Sequence, residues 1–448
     1  MSKYLIVGII LVVLVALLAT NKKLVETLKN IYKIEELRKR ILFTLGLLLV
    51  YRLGSFVTLP GVNHAALEAF TQSFADDNSL MGLLNVFSGG AFSQASIFAL
   101  GVMPYITASI IIQLMGIMVP YFRKMQREGE SGRRKMNQWT RFLTIAVLLL
   151  QAPAYLKSTV MRYNAVSMGE DTFIYTSTII LIAGTMFIMW LGEKITDKGI
   201  GNGVSLIIMI GIVARLPHAF LEELMFQVSA SGSIIMLIVE LVFLAMVFML
   251  AIAIVQAVRK IPVQYAKRIV GNKQYGGVRQ YIPLKLNAAN VMPIIFAQAL
   301  MFIPGLIWGG QWLDITSFWY NFTLVVLVIA FTYFYTAIIV NPQMMADDMK
   351  RNGGFIPGVK PGKSTVTYID NIMTRITLPG SVFLALITVL PAIAMTLGIQ
   401  QGFAYFFGGT SLLIMVGVVL DTLKQIESYL LMRHYDGLMK TGRIQGRY

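Results

Sequence analysis

Apolar residues in this chain come in long blocks separated by short polar segments, and ten of the blocks approach the length that crosses a bilayer. The predicted spans lie near 41–59, 97–118, 142–162, 173–191, 203–220, 233–257, 289–309, 318–340, 376–396 and 404–423. One stretch breaks the pattern. Leu80 to Met118 is too long for one span, and Ser88-Gly89-Gly90 divides it into a short stub and a full span. The stub, Leu80-Met81-Gly82-Leu83-Leu84-Asn85-Val86-Phe87, predicts about two helical turns, about 12 Å against a hydrocarbon core of about 30 Å. It cannot span, yet it is too apolar for water, so it must be housed inside protein. Non-helical backbone at membrane depth is tolerated only within protein or lining a cavity, so Ser88-Gly89-Gly90 predicts an internal vestibule or a re-entrant loop with a packing role.

Composition agrees with a membrane chain: 56% of residues are hydrophobic and 13% charged. The formal net charge of +16 is not spread evenly. Segments 21–40, 119–141, 192–202, 258–288, 341–375 and 424–448 hold 33 of the 38 Lys and Arg, leaving Lys3, Arg52, Lys157, Arg162 and Arg215 elsewhere. By the positive-inside rule these segments and the C-terminus face the cytoplasm, where part of their charge meets anionic lipid. Segments 258–288 and 341–375 are longer than topology requires and carry Gly-Gly and Pro-Gly turns, which points to a docking surface for an RNA-rich or acidic partner.

Catalytic and metal chemistry find little support. The chain has no cysteine, and His64, His218 and His434 lie far apart without ligand spacing. No His-Glu-x-x-His pattern occurs, and the serines lack a base within a motif. Gly199-Ile-Gly-Asn-Gly203 has neither P-loop spacing nor a preceding strand, so it reads as a tight turn into the fifth span. An ion-coupled carrier needs ionisable groups near the midplane, but the only acids in the spans are Glu240, in the outer part of span six, and Asp421, at the inner end of span ten, and each reads as an interfacial, paired acid. A gated passive pore remains.

Several long motifs carry a resemblance that covers roughly Leu24 to Arg447. Phe87 to Gln113 (FSGGAFSQASIFALGVMPYITASIIIQ), Gly129 to Lys135 (GESGRRK), Trp190 to Gly203 (WLGEKITDKGIGNG), Tyr265 to Arg268 (YAKR) and Phe407 to Leu413 (FGGTSLL) resemble, in order, the SecY family of protein-conducting channels. The resemblance implies an all-α, polytopic membrane protein of the bacterial cytoplasmic membrane. Its ten transmembrane helices would form two pseudo-symmetric inverted halves of five around a central pore. The implied divisions are an N-terminal half at 21–220, a C-terminal half at 221–423 and a cytoplasmic tail at 424–448, with the halves closing about Arg215 to Gly232. Ten spans permit this, because a second copy of five helices runs inverted, although no residue-level repeat is visible.

The same resemblance implies site roles. Val102, Ile106, Val204, Ile208, Ile295 and Ile414 correspond to an aliphatic pore ring, and the four-residue spacing within the first two pairs puts each pair on one helix face. Residues 80–93 correspond to a plug that includes Leu80, Leu83, Leu84, Val86, Phe87, Ser88, Gly89 and Gly90. Spans two and three against seven and eight correspond to a lateral gate, where Gln113 and Asn287 are placed to hydrogen-bond across the gate or to satisfy local backbone. Arg259, Lys260, Lys267, Arg268, Lys273 and Lys360 correspond to docking residues for the ribosome and SecA. SecE and SecG would be membrane partners, and signal peptides and unfolded preproteins the substrates; no cofactor and no catalysis are implied. Two positions depart from the pattern. Lys360 stands where the family usually has arginine, keeping the charge but losing the bidentate fork, and Gln94 stands where many relatives carry arginine, so the resemblance does not carry over any ionic tether at the plug's end.

The N-terminus departs most. Tyr4 to Ala19 is a sixteen-residue apolar run, about 24 Å as a helix, ahead of the family pattern. Residues 1–20 therefore read as an additional hydrophobic helix with its N-terminus outside, a segment without a convincing cleavage site, or the product of an upstream start codon.

Overall fold

A chain segment in lipid must satisfy its backbone N–H and C=O groups internally, and a long apolar block without breakers does so as a helix. The computed structural model describes residues 34–63, 80–161, 166, 168–228, 234–265, 268–270, 273–275, 279–308 and 314–440. In chain order its first half contains α1 (Glu35–Gly54), α2 (Leu80–Phe87), α3 (Met103–Met118), α4 (Pro120–Arg127), α5 (Glu130–Tyr155), α6 (Glu170–Lys198) and α7 (Gly203–Val228). Then come α8 (Ile234–Gln256), β1 (Val258–Tyr265), β2 (Arg268–Val270), β3 (Lys273–Tyr275) and β4 (Arg279–Lys285). The remainder is α9 (Met292–Trp308), α10 (Phe318–Ile339), α11 (Pro342–Arg351), β5 (Gly354–Phe355), α12 (Lys363–Thr396), α13 (Gln401–Ala404) and α14 (Gly409–Lys440). Among the described residues, α1, α3, α5, α6, α7, α8, α9, α10, α12 and α14 occupy the ten predicted spans, and α2 is the predicted stub. Residues 1–20, His64 and Lys267 lie outside the described residues.

Among the described residues, six helices, α6, α7, α8, α10, α12 and α14, are long and apolar enough to cross a membrane by length and composition. α3 and α4 are bent by 100° to one another. The cause is local: Val119 is extended ahead of Pro120, which opens α4 at its first turn. Helix boundaries differ from hydropathy in a consistent way. α5 and α12 start well before their apolar cores, and α7 and α14 continue beyond 220 and 423, because a helix leaving lipid keeps its hydrogen bonds while its side chains turn polar. α3 departs oppositely. It begins at Met103 rather than 97, since the chain from Ser88 to Val102 runs in successive turns and the helix starts only at the Met103-Pro104 step.

Polar side chains within the spans are mostly satisfied locally. Thr144, Thr332, Thr377 and Thr388 each donate to the carbonyl four residues back, at 2.6–2.8 Å. Pro153 precedes a π turn at Leu156–Val160, whereas Pro379 and Pro391 lie within the continuous helix α12.

Within the first half α1 packs on α6, α3 on α5, α5 on α6, and α6 on α7; in the second, α9 packs on α10, α10 on α12, and α12 on α14. α7 joins the two sets by packing on α14 and α8. The strands were not anticipated by hydropathy. β1 pairs antiparallel with β4 from Val258–Lys285 to Gln264–Arg279, and its other edge takes β5 through Gln264–Phe355 and Tyr265–Gly354. The two long basic segments thus form one module, with Ile261, Val263, Leu284, Met349, Ile356 and Ile369 in a shared core.

Candidate functional site

The stub and the turns after it are held from three sides. Val86, Phe87, Ser88, Gly89 and Gly90 are buried, whereas the side chains of Leu80, Leu83 and Leu84 fall outside the described residues. An irregular buried backbone needs donors for its carbonyls. Tyr51 Oη donates to the Ser88 carbonyl (3.5 Å), Arg52 Nη1 to Gly89 (2.8 Å) and Tyr155 Oη to Phe92 (2.7 Å). Asn85 Oδ1 accepts the Ser93 amide and Ser88 Oγ accepts the Phe92 amide. Gly89 has φ +66°, and a Cβ there would lie 2.9 Å from Gly211 Cα on α7. The expectation that Ser88-Gly89-Gly90 is non-helical backbone enclosed by protein is met.

The six aliphatic ring candidates come from four helices. Val102, at the entry to α3, and Ile414 on α14 are buried in one apolar cluster, against which Ile106, Val204 and Ile208 pack. Ile295 on α9 packs against a neighbouring cluster, built around Ile110, Ala289, Phe296 and Tyr335, that Ile106 also touches. Val204 sits at the first turn of α7, and one of its methyls lies 2.9 Å from where a Cβ on Gly192 of α6 would stand, so it also packs on the α6–α7 seam.

Between the first and second sets of helices lies a cleft of about 1220 Å³, walled by Gly116 and Arg123 on one side and by Lys285, Ile338, Met344 and Met373 on the other. Gln113 and Asn287 do not bond to one another. Gln113 Nε2 donates to Ser109 on its own helix (3.5 Å), the local alternative that its sequence position left open. Asn287 lies in the turn ahead of α9, not on it, and its buried Oδ1 has no partner among the described residues.

Three of the basic candidates lie on the sheet module. Arg259 and Lys260 are exposed on β1, and Lys360 is exposed in the turn that follows β5. Arg268 and Lys273 belong to the short β2–β3 hairpin, in which Val270 pairs with Lys273. The turn 199–203 is engaged by its surroundings: the Ile200 amide donates to Thr44 Oγ1 (3.1 Å), Gly201 to Gln425 Oε1 (2.8 Å) and Gly203 to Thr196 Oγ1 (2.9 Å). Amides that a phosphate would require are already bonded, in keeping with a structural turn.

Some polar groups escaped sequence reading. Glu223 is fully buried; its Oε1 accepts from Gln227 (2.8 Å) and its Oε2 from the Gln400 amide (2.8 Å), while the same Gln227 amide donates to Glu240 (3.1 Å). Glu240 thus shares the Gln227 amide with an acid that lies past the predicted end of span five, and its Oε2 has no hydrogen-bond partner among the described residues, where the sequence suggested a paired acid. The Glu223–Gln227 spacing of four was the available signal. Arg52 was read only as a residue outside the basic segments, Arg215 also as the start of the segment between the halves, and Tyr155 not at all.

Comparison with known proteins places these features in context. The SecY family model matches residues 96–423. Protein translocase subunit SecY of Chlamydia trachomatis serovar D is 40% identical over 457 residues, covering 94% of this chain and 99% of the relative. The SecY subunit of Streptomyces coelicolor is 43% identical, covering 91% and 98%. A solved structure described as a protein conducting channel superposes with a TM-score of 0.59 at 18% identity, covering 87% of this chain and 92% of that one. An idle yeast Ssh1 complex bound to the yeast 80S ribosome gives 0.59 at 15% identity, covering 86% and 89%. At these identities the structural likeness speaks for the fold.

Proposed function

The chain belongs to the SecY family, a family of translocation channels rather than enzymes, and on that premise we propose that it is the channel-forming subunit of a protein translocase. In this reading it passes unfolded preproteins across the bacterial cytoplasmic membrane and releases apolar segments sideways into lipid. The observation that carries the reading is the plug segment itself: a short apolar helix and a glycine turn, buried among helices of a multi-pass membrane protein and hung on donors from α1 and α5. A pore for folded solutes has no need of a removable backbone stopper.

The aliphatic residues Val102, Ile106, Val204, Ile208, Ile295 and Ile414 form the waist. Methyl groups cannot replace an ion's hydration shell, but they yield to a passing chain. The plug fills the funnel on the outer side, and the cleft between α3–α4 and α10–α12 is the cytoplasmic part of the lateral gate. The sheet module faces the cytoplasm, so that Arg259, Lys260, Lys267, Arg268, Lys273 and Lys360 meet the ribosome or SecA. The structural likeness to a ribosome-bound channel complex supports that surface. SecE and SecG are the membrane partners, and energy comes from the motor, since the channel itself performs no catalysis. The test is reconstitution: the purified chain with SecE and SecG in vesicles, supplied with SecA and ATP, is expected to import a signal-bearing preprotein into a protease-protected space. Failure to copurify with a small SecE-like membrane protein, together with absence of import, would overturn the reading.

A further inference from the structure

Thirty-three of the 38 Lys and Arg lie in the basic segments, and Arg52 and Arg215 are among the five that do not. A half-buried guanidinium far from the basic loops is costly unless it is hydrogen-bonded. Among the described residues no carboxylate forms a salt bridge with Arg52. Its acceptors are the Gly89 carbonyl at 2.8 Å and, weakly, Ser55 Oγ at 3.5 Å, and its guanidinium lies over the Phe56 ring at 4.7 Å. Arg215 of α7 approaches the same turn: its Nε stands 4.0 Å from where a Cβ on Gly90 would lie. Two like charges therefore flank one glycine pair, and the Gly89 carbonyl presents its negative end to Arg52.

We propose that Arg52 is a positioning residue that holds the plug in its resting seat through a charge-assisted hydrogen bond to the Gly89 carbonyl. The inference rests on the channel reading and adds a named latch to it. The bond is made to backbone, so it is indifferent to plug side chains. It exists only while the plug is seated, so it stabilises the closed state alone. A device of that kind shifts a two-state equilibrium by its full differential strength. When the plug leaves, Arg52 loses its acceptor while Arg215 remains nearby, and return of the carbonyl is favoured.

The test uses the complete complex with its membrane partners, reconstituted in liposomes. Arg52→Met, which keeps length and removes the donor, is expected to raise resting ion conductance about tenfold, the scale of one charged hydrogen bond. Import of a preprotein with a shortened apolar signal is expected to rise as well, because a weaker ligand then suffices to open the channel. Damage to the fold would lower import instead. Arg52→Lys, which keeps the cation, is expected to restore part of the seal. A tight Arg52→Met complex would overturn the latch. So would a Phe56→Leu complex that leaks as much as Arg52→Met, since the ring stack would then be the cause. If Arg52→Met fails to assemble, the Arg52→Lys and Arg52→Gln pair decides by their order of leak, with equal leak counting against the latch. A parent complex that neither imports preprotein nor conducts when loaded would instead refute the channel reading itself.

Discussion

Gly89 and Gly211 meet backbone to backbone: a Cβ on Gly89 would stand 2.9 Å from Gly211 Cα, and one on Gly211 would stand 2.8 Å from the Phe87 carbonyl oxygen. The plug turn is seated on α7 at a distance that no side chain permits, and Gly89 also has positive φ, at +66°. Gly89→Ala therefore meets both a steric contact with rigid backbone and a left-handed conformation costing about 1–2 kcal/mol. The resting complex is expected to leak ions. Gly211→Ala, without the φ penalty, is expected to leak as well; conductance of reconstituted vesicles reads both.

The waist is tested by polarity at constant position. Ile106→Ser with Ile208→Ser is expected to hydrate the constriction and raise resting leak while import continues, because a moving chain needs the ring to yield, not to bind. Ile106→Leu with Ile208→Leu should stay tight. If the double serine form seals as well as the parent, these residues do not form the barrier.

Docking is tested by charge. Reversing Lys260, Arg268 and Lys360 to glutamate is expected to weaken SecA and ribosome binding, with added salt reproducing the effect on the parent, since exposed cations act over about 10 Å at moderate ionic strength. Binding that is unchanged at low salt would leave these residues with topology as their only role.

The sheet predicts coupling between two loops far apart in sequence. Val263 of β1 is fully buried beside Ile356 and Ile369. Val263→Ala is expected to cost about 1–3 kcal/mol, by analogy with large-to-small changes in cores. Limited proteolysis should then cut faster both in 266–278 and in 350–362, whereas cutting in only one of them would show that the loops fold separately.

Beyond the plug, Glu223 ties α7 to the 400 turn and, through Gln227, to Glu240 on α8. Glu223→Leu strands the Gln400 amide and one bond of Gln227, and is expected to lower the melting temperature of the detergent-purified protein by several degrees. Glu240→Gln keeps an acceptor for Gln227 and is expected to melt near the parent.

Hydropathy alone determined which segments enter the membrane, because transfer into lipid is a local property summed over about twenty residues. It also determined that residues 80–87 are too short to cross, and glycine at 89 and 90 marked where helix stops. The basic segments and the tight turn at 199–203 were legible for the same reason: charge and turn chemistry belong to individual residues. What holds the plug was not legible. Tyr155 reaches Phe92 across 63 positions and Arg52 reaches Gly89 across 37, and no periodicity encodes which carbonyl a distant donor will meet. Likewise β5 joins β1 from about ninety residues away, because strand pairing is settled by which edge remains open once α11 and α12 have packed. Gln113 and Asn287 could pair or bond locally as far as the sequence went, and the tertiary structure left them unbonded, with Gln113 turned to Ser109 on its own helix and Asn287 in the turn ahead of α9.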